Sequence, residues 1–240
     1  MRATSPSGRP RKSADGHRLV IVPGRGLIWT TLNALGYLRK AEGRYRRKSW
    51  APLASIAGMD AKPSPIRLAR SDELPLLIEI ERAAGAVFRD LGMDAVADDD
   101  PGSVEELAPF QREGRAFVYP NGQGRPVAYL LLGVIDGYAH VEQVSVHPSH
   151  SRRGIGRQLI EAADEWACEH DLAGLALTTY ARVPWNAPYY ERLGFHGLPE
   201  PDVPPGLRAV REHEAARGLD AWPRVVMVRA LRSSHPRETD

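Results

Sequence analysis

The stretch VHPSHSRRGIGRQL, residues 146–159, decides how this chain folds. Pro148 closes an alternating apolar run, and two glycines, Gly154 and Gly156, open an amphipathic one. A strand ending at Val146 and a helix beginning at these glycines would aim several backbone N–H groups out of the helix mouth, where the dipole is positive. That arrangement holds phosphate. Glycine lets the backbone approach closely, and Arg152, Arg153 and Arg157 add charge suited to a pyrophosphate. Paired glycines alone are common, as GRG at 24–26 and GQG at 122–124 illustrate, so the motif takes its meaning from its surroundings.

Upstream, RAFVYP and RPVAYLLLGVI flank NGQG at 121–124, and Asp136-Gly137 separates the second run from YAHVEQVSV. Two turn signals between strand-like runs predict three successive antiparallel strands. Downstream, Ile155, Leu159, Ile160, Ala163, Trp166 and Ala167 share one face of a helix over 154–170, and LALTTY follows as a strand. Strand, helix, strand at this spacing implies a right-handed parallel crossover. The fold class is therefore α/β, a central mixed twisted sheet in which an antiparallel meander is followed by a parallel crossover, with helices on both faces.

The remaining elements follow the same rules. Ile66 to Ala69 reads as a short strand, and Ser71, followed by Asp72 and Glu73, as the N-cap of a helix whose stripe runs from Leu74 to Phe88. GMDAVADDDPG reads as a polar loop in which Asp98, Asp99 and Asp100 are solvated and would attract a cation. SVEELAPFQREG is a second, shorter helix. Trp185 to Arg192 and Pro205 to Arg217 read as two more, and RVVMVRAL as a closing strand. Cys168, alone in the chain, excludes a disulfide framework and multi-cysteine metal sites, favours a reducing cytoplasmic setting, and reads as a small buried apolar side chain. His147 and His150 make an incomplete ligand set for a metal and read as surface loop residues.

Charge divides the chain. Residues 1–65 hold 13 Lys+Arg against 3 Asp+Glu, net +10, which leaves 19 against 27, net −8, for residues 66–240. The first part, densest in RYRRKSW at 44–50, reads as a basic, disordered N-terminal extension, 66–232 as the folded domain and 233–240 as a polar tail. Pro23, Gly24, Arg25, Gly26 and Asn33 interrupt the apolar run 19–38, which argues against a membrane anchor. Met59 offers an alternative start to the chain.

Neither G-x-x-x-x-G-K-[ST] nor G-x-G-x-x-G with an acidic partner is present, so the cradle serves another phosphate ligand than a P-loop or dinucleotide fold would. EQVSVHPSHSRRGIGRQLI together with LTTYARVPWNAPYYERLGF resembles the GNAT superfamily of acyl-CoA-dependent N-acetyltransferases over roughly residues 66–231. The resemblance implies a sheet splayed between its fourth and fifth strands to admit acetyl-CoA, the co-substrate. Ser151, Arg152, Arg153, Gly154, Ile155 and Gly156 match the family's Q/R-x-x-G-x-G/A pyrophosphate motif, with Ser151 standing where Gln or Arg is usual, and Arg157 follows it. Val144 and Val146 would offer main-chain groups to the pantetheine arm. YYERLGF places Tyr190 at the position of the general acid, and Asn186 stands for the asparagine upstream of it, at a shorter gap than the commoner one.

Transfer to an amine needs a base, an oxyanion donor and an acid for the departing sulfur. Glu142 is the candidate base, the N–H of Val144 the donor and Tyr190 the acid, with no metal required. The acceptor would be a small-molecule or protein amine. No nucleic acid or membrane is expected as partner, and a homodimer is left open. Two other readings stand beside the enzyme: a non-catalytic acyl-CoA-binding regulatory module, and a nucleic-acid-associated adaptor acting through the basic arm.

Overall fold

The computed structural model of the protein describes residues 65–231. Most of the basic extension, the alternative start at Met59 and the polar tail lie outside the described residues.

Seven strands form one mixed sheet: β1 (Arg67–Leu68), β2 (Ala116–Pro120), β3 (Pro126–Ile135), β4 (Tyr138–Val146), β5 (Gly174–Tyr180), β6 (His196–Gly197) and β7 (Arg224–Ala230). Their spatial order is β1-β2-β3-β4-β5-β7-β6. The meander β2, β3 and β4 is antiparallel, and β4 to β5 is the parallel step. Asp136 and Gly137 both take positive φ, 50° and 80°, which sets the tight β3–β4 turn.

Helix α4 (Ile155–Glu169) makes the crossover and lies, with the short α5 (Ala187–Arg192), on one face of the sheet. There Leu159, Ile160, Ala163 and Trp166 pack on Leu130, Leu132, Ala139, Leu175 and Met227. The opposite face carries α1 (Leu74–Gly85) and α3 (Val104–Arg112) over Val118, Tyr129 and Leu131, and α6 (Pro205–Ala216) over Ala176, Val226 and Val228. Apolar alternation along β3 therefore fills two cores, which is why its ten residues are almost continuously buried. The α/β architecture with helices on both faces is as the sequence predicts.

Several local expectations are corrected. Ser71 opens a 3₁₀ turn, Ser71–Glu73, rather than capping the helix, because Glu73 accepts the Arg70 N–H at 2.9 Å and a proline sits near the start of α1. The helix ends at Gly85 and continues to Leu91 only as a 3₁₀ segment, stopped by Gly92 at φ 68°. A helical turn, α2 (Asp94–Ala97), interrupts the acidic segment read as a loop, since Met93 and Val96 bury against Tyr180 and Val183. Strand β1 is two residues long, not four. Cys168 is exposed: it falls on the polar stripe of α4 with Glu161 and Glu165, while its neighbours Trp166 and Ala167 face the core.

Candidate active site

The opening stretch forms a tight entry to α4. Pro148–His150 is a 3₁₀ turn, Ser151 Oγ donates back to the Pro148 carbonyl at 2.8 Å, and Arg152 and Gly154 take φ of 60° and 75°. Gly154 pays no Cβ penalty there, whereas Arg152 holds a conformation that L-residues rarely adopt. The first backbone bond at this helix mouth is Gln158 N–H to the Gly154 carbonyl, at 3.1 Å. The N–H groups of Ile155, Gly156 and Arg157 ahead of it are the free donors of a long helix. Arg152 and Arg153 are exposed, and Arg153 reaches the Ser149 carbonyl at 3.1 Å, while Arg157 pairs with Glu161 one turn on. Ser151 thus supplies its side chain to the turn, not to the cradle. His147 and His150 bond Ser149 on the same loop.

Beside the cradle the sheet comes apart. Strands β4 and β5 pair only at Ala139↔Leu175 and His140↔Ala176. On its other edge β4 stays with β3, and His147 N–H bonds the Val127 carbonyl at 2.9 Å. Hydrogen-bonding direction alternates along an antiparallel ladder, so Ser145 and Gln143 also face β3. Val144 and Val146 therefore turn their N–H and C=O groups into the splay. Gly156 lies at the same spot: a Cβ there would sit 3.0 Å from Tyr189 Oη and 3.9 Å from Val146 Cγ2.

On the face covered by α1 and α6, β4 carries polar side chains. Gln143 pairs with Leu131 and Val141 with Leu132, so Glu142 is the extra residue of a β-bulge. Its carboxylate lies 2.9 Å from His140 Nδ1. Gln143 donates to Glu81 on α1 at 3.0 Å, and Glu81 also accepts the Tyr129 hydroxyl at 2.6 Å. His140 is 3% exposed and its Nε2 is buried without a hydrogen-bond partner. Burial alone would lower the pKa of this imidazole, but the Glu142 carboxylate overrides it and the net shift is upward.

Tyr190 sits on α5, buried against Tyr189 and Phe195 with ring centroids 5.5 and 5.6 Å away. Burial, then the neighbouring Tyr189, holds its hydroxyl far above the usual phenol range, so it keeps its proton. Asn186, just ahead of α5, donates its amide to Thr179 Oγ1 on β5 at 2.6 Å, and its own Oδ1 is buried unpartnered.

Two residues of this neighbourhood escape sequence reasoning. His140 was legible as the same-face neighbour of Glu142, two residues back on an alternating strand, yet nothing local shows its burial. Tyr189 gives no motif signal; only the packing of α5 on the mouth of α4 brings it to the cradle, beside Arg192, whose guanidinium lies 5.7 Å from its ring. Asp98 pairs with Arg89. Among the described residues no group of three or more His, Cys, Asp or Glu is placed to hold a metal ion, and no helix is long and apolar enough to cross a membrane.

An acetyltransferase (GNAT) family model matches residues 84–195. The mycothiol acetyltransferase of Thermomonospora curvata is 36% identical over 126 residues, covering 43% of this chain and 42% of that protein. The chain thus spans less than half the length of that relative. N-acetylglutamate synthase from Neisseria gonorrhoeae, complexed with coenzyme A and N-acetyl-glutamate, aligns with a TM-score of 0.52 at 16% identity, over 70% of this chain and 35% of that one. Rv2747 from Mycobacterium tuberculosis, in complex with CoA and NLQ, aligns with the same TM-score and identity over 70% of this chain and 99% of the other. At such identities the two structures establish a shared fold.

Proposed function

An acetyltransferase (GNAT) family model matches residues 84–195, and from that match we propose that the chain transfers the acetyl group of acetyl-CoA to a primary amine by direct attack on the thioester. The observation that carries this reading is the coincidence of two unfilled backbone arrays: the free N–H groups at the mouth of α4, and the groups of Val144 and Val146 turned into the splay. The first suits a pyrophosphate and the second an amide-bearing pantetheine arm. In this reading Arg152, Arg153, Gly154, Ile155, Gly156 and Arg157 hold the phosphates, and the Ser151 side chain braces the loop.

The chemistry follows from the side chains. Glu142 takes the proton of the acceptor ammonium, the amine nitrogen attacks the thioester carbon, and the Val144 N–H receives the developing oxyanion. The carbon–sulfur bond then breaks, Tyr190, kept protonated by burial, gives its proton to the departing sulfur, and the second proton shed by the attacking nitrogen restores the tyrosine hydroxyl, leaving the neutral amide. Acceptors are small-molecule or protein amines, and the lone exposed thiol of Cys168 is consistent with a cytoplasmic setting.

Calorimetry with acetyl-CoA tests the reading on the wild type and a folded Gly154→Glu, Gly156→Glu double variant. Micromolar binding that disappears in the variant supports it, and CoA release in an amine screen completes it. Binding without release by any amine would leave a non-catalytic module. Absence of binding by the folded wild type sinks both.

A further inference from the structure

The mechanism above uses Glu142 and leaves unexplained the imidazole against which it rests. His140 Nδ1 is 2.9 Å from Glu142 Oε1. A carboxylate only accepts hydrogen bonds, so Nδ1 carries the proton and, in the neutral ring, Nε2 is a bare acceptor. That nitrogen is buried with no partner. Leaving a buried acceptor unmade is unfavourable, and a histidine kept only for packing could be an apolar residue of the same size without that cost. Its one strong bond points to the bulge, where Glu142 has no cross-strand partner to fix it.

Resting on the acetyltransferase reading, we propose that His140 is a positioning residue for the transfer: its Nδ1–H holds one oxygen of Glu142 at the bulge and leaves the second free for the amine proton. The charged groups around His140 are Glu142 on its own strand and Glu214 on α6, with Glu81 of α1 one step away through Gln143. Glu214 is itself occupied by Arg224 of β7 at 2.7 Å, by Arg211 at 2.5 Å and by the Thr178 hydroxyl. Glu142 is thus the carboxylate on which the state of the imidazole chiefly depends.

Two measurements on the full chain test this. In an NMR titration of the His140 ring, the wild-type midpoint lies above the ordinary histidine range, and in Glu142→Gln it falls below that range, because burial remains and the carboxylate is gone. Equal midpoints overturn the proposal, and this arm needs no change at His140. The second measurement is CoA release from saturating acetyl-CoA with a pool of ethanolamine, L-lysine and an alanine-initiated peptide. His140→Leu lowers kcat by about 10²-fold with the KM for acetyl-CoA unchanged, and His140→Asn, whose amide can stand at the Nδ1 position, recovers most of it. Wild-type kcat in His140→Leu, or loss without rescue and with KM rising in step, overturns the positioning role. If Glu142→Gln keeps wild-type turnover, the positioning proposal falls and the transferase stands. If the wild type binds acetyl-CoA but releases no CoA with any of the pool, the acetyl transfer reading falls and takes this one with it.

Discussion

Strand β5 meets its two neighbours in opposite ways. With β7 it pairs along its whole length, from Gly174↔Ala230 to Tyr180↔Arg224, whereas with β4 it pairs at two residues and stops at His140↔Ala176. The strands are equally regular up to that point. The difference lies in the Glu142 bulge, which increases local twist and bends β4 out of register with any partner on that side. One edge of β5 builds the sheet; the other leaves backbone groups of β4 for something that is not a strand. The lesson is that this site is made by interrupting regular structure at one residue, with the rest of the sheet braced to tolerate it.

That bracing is where the largest effects are expected. Arg229 on β7 contacts Asp164 of α4 at 2.5 Å, donates to the Leu193 carbonyl at 2.8 Å and covers the Phe195 ring, all of it buried. Arg229→Met leaves Asp164 charged and buried and destabilises the fold by about 4 kcal/mol, while Arg229→Met with Asp164→Leu recovers most of that. Urea unfolding of the two variants checks it. Gly174→Ala comes next. Its Cβ would lie 2.2 Å from the Arg229 carbonyl oxygen, a backbone atom that cannot step aside, so a loss of about 3 kcal/mol is expected. If either single variant unfolds like the wild type, the paired edge is not the rigid half of the comparison.

The open edge yields a subtler measurement. Val144 and Val146 alternate with Gln143 and Ser145 on one strand, yet only the latter pair give their N–H groups to β3. Hydrogen exchange in the free protein should therefore be about 10²-fold faster at Val144 and Val146 than at their neighbours, and acetyl-CoA should narrow the gap. A uniform rate along β4 would mean that the splay is closed in solution.

The same contrast explains how far the sequence could be read. The meander was legible because Asn121-Gly122 and Asp136-Gly137 punctuate it, and α4 because six apolar residues share one face that is in fact buried. The tight entry to α4 was legible because its proline and glycines mark a turn into a helix. The bulge left none: it carries no glycine or proline, and only the count of residues against β3 reveals it. Strand β6, two residues long, exists because β7 offers an edge, and α2 because Val96 and Met93 find Tyr180. Cys168 was misplaced by its chemistry when the period of α4 already assigned it to the polar stripe. What composition and period cannot express is packing between distant segments, and the bonds of Glu81 to Tyr129 and Gln143 are of that kind.

The smallest effect sits at the junction of the two edges. Asn186 bonds Thr179, on the half of β5 that β4 has left, and so ties the start of α5 to the open strand. Asn186→Ala removes one neutral hydrogen bond and leaves the Thr179 hydroxyl buried, which costs about 1 kcal/mol of stability. If the bond only braces the strand, acetyl-CoA affinity falls little beyond what that stability loss explains. If the unpartnered Oδ1 instead receives a donor from the cofactor, affinity falls by about tenfold while the stability loss stays the same. Measuring both quantities on one variant therefore separates a brace from a ligand contact, and assigns Asn186 to one edge of β5 or the other.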